Sequence, residues 1–168
     1  MLLNIDKNII IADVSAQLQQ ELTLALLAAD NAHKAATDDQ SVAETQYDTL
    51  AIEQSYLAEG QSRRVDEIRV AIKSLQSLKF EQVSNKTCVM MGSLVQVEQD
   101  IIKRHWFFIV PAAGGYRCQI SHQGVSINIT LITPQAPMGK ALLNKELDDD
   151  VILSVGRNNI RDFITDIK

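Results

Sequence analysis

Six carboxylates lie between Lys34 and Arg63, an interval that contains no Lys or Arg. They are Asp38, Asp39, Glu44, Asp48, Glu53 and Glu59. Acids at this density make the segment anionic and supply oxygen atoms that attract cations. The simpler interpretation is that these acids only solvate an exposed end of the fold.

A second distinctive stretch, Ile132–Leu143, reads ITPQAPMGKALL. Proline and glycine interrupt its first eight residues, and alanine and leucine follow. This order predicts a turn that leads into a short amphipathic helix over Pro137–Leu143.

Two long helices are predicted to position the acidic segment. Residues 9–37 lack Pro and Gly and carry an apolar stripe at three- and four-residue steps. The stripe consists of Val14, Leu18, Leu22, Ala25, Ala29, Ala32 and Ala36. A second helix is predicted over residues 41–78, with a stripe of Val42, Leu50, Leu57, Val65, Ile68, Ile72 and Leu75. Turn and N-cap residues separate the two helices, so we expect an antiparallel coiled-coil hairpin with the acids at its tip.

The pattern changes near Phe80 to short runs rich in β-branched residues. Strands are predicted over residues 87–91, 94–97, 105–110, 116–120, 125–132 and 148–155. We expect a compact antiparallel sheet with the short helix. Trp106, Phe107 and Phe108 straddle both faces of one strand, so we expect core packing with one aromatic ring left for a partner surface. The predicted fold is therefore α+β, with a hairpin domain at 1–79 and a sheet domain at 80–168.

The charge distribution limits the function classes. Residues 1–80 hold seven Lys/Arg against twelve Asp/Glu, whereas residues 81–168 hold nine of each. Affinity for a nucleic-acid backbone comes chiefly from Lys and Arg that neutralise phosphates. The chain is therefore a poor candidate for holding nucleic acid by charge.

The sequence also predicts a compartment. No apolar run approaches the roughly eighteen residues of a membrane span, and residues 1–7 lack the features of a signal peptide. We expect a cytoplasmic protein with no membrane contact, in which Cys88 and Cys118 stay as thiols.

The stretch Ile132–Val151, ITPQAPMGKALLNKELDDDV, resembles the C-terminal domain of the bacterial Gre transcript-cleavage factors, GreA and GreB. In addition, Tyr56–Ile68 looks like the second helix of a Gre-like branch of that family. The resemblance covers most of the chain.

The resemblance implies an FKBP-like C-terminal domain that docks on RNA polymerase beside its secondary channel. The hairpin would reach toward the catalytic Mg²⁺, where tip acids help hold a second metal ion and the attacking water. The polymerase then cleaves the nascent RNA, so the factor is not an enzyme itself, and Mg²⁺ is shared with the polymerase. Carboxylate oxygens suit Mg²⁺, which takes only one or two protein carboxylates.

The resemblance also implies the site residues. Our order for the acids at the tip is Glu44, Asp39, Asp48 and Asp38. The expected polymerase contacts are Pro137, Met138, Gly139 and Lys140. The chain departs from the family at two positions: Ser41 stands where an Asp is usual, three residues before Glu44, and Ala136 replaces a usual Ser.

Two other functions fit the sequence. One is a Gre-like channel regulator or inhibitor that does not promote cleavage, which the incomplete acidic motif favours. The other is an FKBP-like peptidyl-prolyl isomerase or chaperone, which only fold analogy supports.

Overall fold

The computed structural model describes residues 5–37, 49–80, 88–122, 124–155 and 158–168. The chain forms two compact units. One unit holds the chain up to Val14 and from Ser74 onward, and the other holds Ser15–Lys73. The predicted domain boundary after residue 79 stays a prediction.

The helical unit is built on two helices, α1 (Lys7–Thr37) and α2 (Thr49–Gln76). Its buried side chains follow the predicted stripes at three- and four-residue steps. They are Leu18, Leu22, Ala25 and Ala32 in α1, and Val65 and Ile68 in α2. Arg64 donates a hydrogen bond to Glu21 on the other helix at 3.0 Å.

The predicted stripe of α2 is wrong at Leu57, whose side chain is 55% exposed. The seam instead continues from Val65 through Gln61 and Ala58, both half-buried. These positions keep the alternating three- and four-residue steps that a coiled coil requires, whereas Leu57 is eight residues from Val65.

The other unit contains a six-stranded sheet in the order β3-β4-β2-β1-β6-β5. Its strands are β1 (Leu94–Val97), β2 (His105–Ile109), β3 (Arg117–His122), β4 (Val125–Ile132), β5 (Asp150–Val155) and β6 (Asn158–Ile167). A short helix, α3 (Pro137–Leu142), lies between β4 and β5. The predicted α+β fold of a helical hairpin followed by a sheet with a short helix is confirmed. The sheet is mixed and not antiparallel throughout as predicted, because β2 and β4 pair in parallel.

Two strand predictions need correction. The predicted strand at 87–91 is wrong over its described part, where Cys88 forms an isolated bridge with Glu146 and Met91 and Gly92 form a turn. Strand β6 was not predicted, although it lies between β1 and β5. The register of β6 against β1 shifts between Gln96 and Val97. Such an irregularity breaks the two-residue alternation that identifies a strand in a sequence.

Both faces of the sheet carry buried apolar residues. On one face, Phe107 and Ile109 belong to a cluster that includes Leu142 of α3. On the other face, the Phe80 ring lies 6.0 Å from the ring of Phe108. Trp106, Phe107 and Phe108 are all buried. The expectation of one aromatic ring free for a partner is therefore wrong, because the sheet is covered on both sides at β2.

Among the described residues, no helix combines the length and apolarity that crossing a membrane would require.

Candidate docking surface

The turn before α3 is held by backbone hydrogen bonds. Val110 donates to the carbonyl of Ile132 at 2.9 Å, which anchors the end of β4. The N–H of Ala136 then donates to the carbonyl of Thr133 at 3.0 Å and closes the turn. These bonds place the start of α3 next to the sheet.

Proline and alanine define the N-terminus of α3. Pro137 occupies the first turn, where its missing N–H costs nothing because that group has no partner within a helix. Ala136 is the N-cap residue, with extended backbone angles and no side-chain hydrogen bond to the helix. A serine in this conformation could accept a bond from a free N–H of the first turn. One of the two positions where the chain departs from the Gre pattern is thus a helix cap.

Gly139 lets α3 pack directly on the preceding turn. It is buried, and a Cβ atom there would overlap the carbonyl oxygen of Thr133 and lie 3.2 Å from the Cα of Pro134. Any side chain at this position would push the helix away from the turn. The glycine is therefore required by the close approach of two backbone segments.

The C-terminal end of α3 is fixed to the core. Leu142 is fully buried, and the N–H of Leu143 donates to the carbonyl of Gly139 at 3.0 Å. Asn144 then adopts a left-handed conformation with φ of 62° and donates to the carbonyl of Val89 at 2.9 Å. This is a helix end of the kind that asparagine tolerates well.

Two of the four predicted contact residues are presented to solvent. Pro137 and Lys140 are exposed, Met138 is half-buried, and Gly139 is buried. The structure therefore brings an exposed proline ring and a cation together beside a partly exposed thioether. That these four residues contact a polymerase stays a prediction.

Met138 also borders a small cavity of about 170 Å³. Val151 and Leu153 of β5 and Ile160 of β6 line it as well, with Asp162 beside them. Register explains the grouping, because Val151 pairs with Asp162 and Leu153 with Ile160, so all four side chains share one face. The apolar surface around Met138 is thus larger than the sequence motif alone.

The sequence offered no clear signal for this extension. Ile160 is 44% exposed and lies on β6, the strand that sequence reasoning missed. We define the candidate docking surface, called the docking surface below, as Pro137, Met138 and Lys140 of α3 together with Leu153 and Ile160.

The predicted acids at the tip, Glu44, Asp39, Asp48 and Asp38, all lie outside the described residues. Within the described part of the chain, no group of three or more His, Cys, Asp or Glu side chains is arranged to hold a metal ion. The assignment of these acids to Mg²⁺ therefore stays a prediction.

No protein-family model and no curated protein matches the chain. Among solved structures, the chain is similar to GreA factor homolog 1 (Gfh1) of Thermus thermophilus, with 19% identity and a TM-score of 0.34 over 92% of this chain and 94% of that one. A structure of the transcription factor Gfh1 is 18% identical, with a TM-score of 0.35 over 91% of this chain and 92% of that one. Thermus aquaticus Gfh1 is 18% identical, with a TM-score of 0.33 over 90% and 92% of the two chains.

Proposed function

We propose that this chain is a Gre-like factor that binds bacterial RNA polymerase at its secondary channel and stimulates transcript cleavage in backtracked complexes. The observation that carries the proposal is the folding of the Gre-like string. Its Gly139 and Leu142 hold α3 against the sheet, and its Pro137 and Lys140 stay on the surface. Those are the roles that a docking element requires.

The hairpin is the effector part of the proposal. Its helices contain 31 and 28 described residues. At 1.5 Å per residue, the longer one is about 45 Å long. Its exposed surface carries ion pairs, such as Lys34 with Asp30 and Arg63 with Glu59, beside exposed apolar side chains such as Leu24. A helical rod of this length suits a segment that enters a narrow channel.

The acids at the tip supply the chemistry in this proposal. Glu44, Asp39, Asp48 and Asp38 would help hold a Mg²⁺ ion shared with the polymerase, and such an ion activates water and stabilises charge on a phosphate. The chain itself contributes carboxylates and the rod that carries them. In this proposal the polymerase supplies the catalytic residues, and the chain would meet the nascent RNA only inside the polymerase complex.

Docking would depend on the surface of α3. Met138 with Leu153 and Ile160 offers apolar area, and Lys140 adds a cation at its edge. Interfaces of this kind combine an apolar centre with a polar rim. We propose that this surface, rather than the tip, supplies most of the affinity for the polymerase.

A non-cleaving channel regulator is the second candidate, and the sequence at the tip favours it. Ser41 occupies the position where an acid is usual in the Gre pattern. A neutral hydroxyl is a weaker Mg²⁺ ligand than a carboxylate. The isomerase alternative gains no support, since Trp106, Phe107 and Phe108 are all buried and offer no open aromatic surface.

The test is transcript cleavage by a stalled, backtracked elongation complex of the cognate polymerase with 3′-labelled RNA. We expect the protein to release short 3′ fragments faster than the polymerase alone does. Glu44→Gln combined with Asp39→Asn should abolish the stimulation while polymerase binding remains. Glu98→Gln, which changes an exposed acid of the sheet unit, should leave cleavage unchanged.

Binding is measured separately by polymerase pull-down. Met138→Asp with Lys140→Glu should weaken it strongly, and the charge reversal Arg161→Glu at an exposed residue of β6 serves as the control. Binding without any cleavage would favour the non-cleaving regulator. Absence of both binding and cleavage would overturn the proposed function.

A further inference from the structure

A polar surface lies on β2, β3 and β4, outside the docking surface. His105 pairs with Asn128, Arg117 with Thr130, and Gln119 with Asn128. Because side chains alternate along strands, these five side chains point to the same face of the sheet. Their neighbours in the sequence Trp106, Cys118 and Ile129 are buried, and by the same alternation their side chains point to the opposite face.

This face borders a cavity of about 590 Å³. Asp100 and Lys103, from the segment before β2, complete its polar lining. Pockets that bind small molecules usually have volumes of roughly 300 to 1,000 Å³. The cavity is therefore large enough for a ligand the size of a nucleotide.

Both ring nitrogens of His105 have side-chain hydrogen-bond partners in the wall of this cavity. The Nδ1–H of His105 donates to the carboxylate of Asp100 at 3.1 Å, and its Nε2 lies 2.8 Å from the hydroxyl of Thr130. The ring also packs edge-on against Phe107, at 4.6 Å between centroids. The imidazole is thus fixed on three sides, and the only carboxylate of the described lining is engaged by it.

A second set of bonds fixes the amides. Gln119 Nε2 donates to Asn128 Oδ1 at 3.1 Å, and Asn128 Nδ2 donates to the carbonyl of Lys103 at 3.1 Å. The second bond holds the backbone of Lys103 beside the sheet. Each amide nitrogen carries a further hydrogen that can be donated into the cavity.

The charge of the described lining is positive. Lys103 and Arg117 are both exposed and bring two positive charges, against the single negative charge of Asp100. This differs from the whole chain, whose formal net charge is −5. A guanidinium and an ammonium with amide donors between them suit an anion that has more than two oxygens, such as a phosphoryl group.

We propose that this cavity binds a small phosphorylated molecule, with its phosphoryl group held by Lys103 and Arg117 and its remaining atoms against Gln119 and the His105 wall. None of its residues belongs to the docking surface, although Asp100 and Lys103 also line the smaller cavity beside Met138. The existence of the site does not depend on the proposed function.

The test is a titration of the full-length ¹⁵N-labelled protein, followed by amide chemical shifts. The probes are adenosine 5′-monophosphate and inorganic phosphate, with adenosine and acetate as uncharged and carboxylate controls. At millimolar concentration we expect the monophosphate to shift the amides of residues 103, 117, 119 and 130. Adenosine and acetate should shift them little, and phosphate alone should act more weakly than the monophosphate.

Variants of the two cations sharpen the test. Each of Lys103→Gln and Arg117→Gln removes a charge-assisted hydrogen bond and should weaken binding by roughly tenfold or more. Lys73→Gln and Arg161→Gln remove exposed cations outside the cavity and should leave the affinity unchanged. All four substitutions are at exposed positions, and unchanged spectra elsewhere will show that the variants are folded.

Any of three titration results would overturn the proposal: no shifts from either phosphate probe, binding of acetate as tight as that of the monophosphate, or wild-type affinity in the Lys103→Gln and Arg117→Gln variants. A short single-stranded RNA that bound the same amides more tightly than the mononucleotide would also overturn it. Such a result would make this face a nucleic-acid contact. Loss of polymerase binding would leave the titration unaffected, so the two proposals fail separately.

Discussion

The Cα of Gly139 in α3 faces the backbone carbonyl of Thr133, with no room between them for a methyl group. The helix and the turn before it are therefore in direct backbone contact. This contact sets the position of Pro137 and Lys140 on the surface, so the docking surface depends on a residue that is itself buried.

Gly139→Ala is expected to destabilise the sheet unit. The new methyl group would meet backbone atoms, which cannot move aside as a side chain can, and overpacking of this kind costs about 1–3 kcal/mol. Urea denaturation followed by the fluorescence of the single, buried tryptophan, Trp106, measures the change. An unchanged midpoint would show that α3 can shift away from the turn without cost.

Gly60→Ala is the matched substitution at an open position, and it should raise the free energy of unfolding where Gly139→Ala lowers it. Gly60 lies inside α2, and a Cβ there meets no atom within 4 Å. Glycine in a helix interior costs roughly 0.5–1 kcal/mol relative to alanine. We therefore expect a gain of that size in the unfolding free energy of the hairpin, measured by far-ultraviolet circular dichroism. A loss would indicate that the methyl group meets a partner.

Ala136→Ser should stabilise α3 by supplying the missing N-cap bond. The backbone of Ala136 already has the extended angles of an N-cap residue, so the serine oxygen can accept from the first turn without rearrangement. Such caps contribute about 1 kcal/mol. The unfolding free energy from urea titration checks this, with Ala136→Val as the control. A similar gain in the valine variant would exclude the capping explanation.

The sequence predicted the helices and most strands because their patterns are local. Leu18 and Leu22 of α1 are buried as their spacing requires, and the alternation in β4 marks its buried residues Ile127, Ile129 and Leu131. The Pro and Gly residues around α3 likewise predicted its position. These features depend on neighbours within a few residues along the chain.

The remaining features depend on register between distant strands. The parallel pairing of β2 with β4 places His105 beside Asn128, with the whole of β3 between them in sequence. No local pattern predicts this, so the cavity next to His105 could not be found from the sequence. The apolar neighbours of Met138 were missed for the same reason, since Ile160 reaches it only through the pairing of β5 and β6.

Lys7→Met should destabilise the sheet unit, even though it removes the need to bury part of a charged side chain. Lys7 Nζ donates to the carbonyl of Gly92 at 2.6 Å and to that of Lys168 at 2.9 Å, and it lies 5.7 Å from the centre of the Phe80 ring. Methionine keeps the apolar stem but leaves both carbonyls without this donor. The carbonyl of Lys168 keeps its bond from the N–H of Leu94, so the cost falls on the carbonyl of Gly92. A partly buried acceptor that loses its partner costs about 1–3 kcal/mol.

The control for this change is Lys73→Met in α2, where the lysine is exposed. Thermal unfolding followed by Trp106 fluorescence should show a lower midpoint than the wild type for Lys7→Met and a nearly unchanged midpoint for Lys73→Met. Equal midpoints for the two variants would mean that the hydrogen bonds of Lys7 add no stability beyond that of its apolar side-chain stem.

Cys118 should be alkylated more slowly than Cys88. Burial raises the pKa of the Cys118 thiol from 9.0 to about 11, and the nearby carboxylate of Asp13 adds to the effect. Since the thiolate is the reactive form, alkylation near neutral pH should be much slower at Cys118 than at the partly exposed Cys88. The comparison uses Cys88→Ser and Cys118→Ser, and the fast phase should disappear only in Cys88→Ser. A fast phase that instead disappeared in Cys118→Ser would contradict the assignment.

The same raised pKa makes the folded state sensitive to alkali. Between pH 9.0 and about 11 the folded protein keeps the Cys118 proton while the unfolded chain releases it. The folded state then binds more protons, so the free energy of unfolding falls as the pH rises through this window and is unaffected by this group below it. A single group contributes at most about 1.4 kcal/mol per pH unit. Urea titrations at several pH values give the slope of the unfolding free energy against pH. Cys118→Ala should lose the part of this slope that comes from the thiol, whereas Cys88→Ala should keep it. Parallel slopes for wild type and Cys118→Ala would show that the buried thiol ionises as readily in the folded protein as in the unfolded chain.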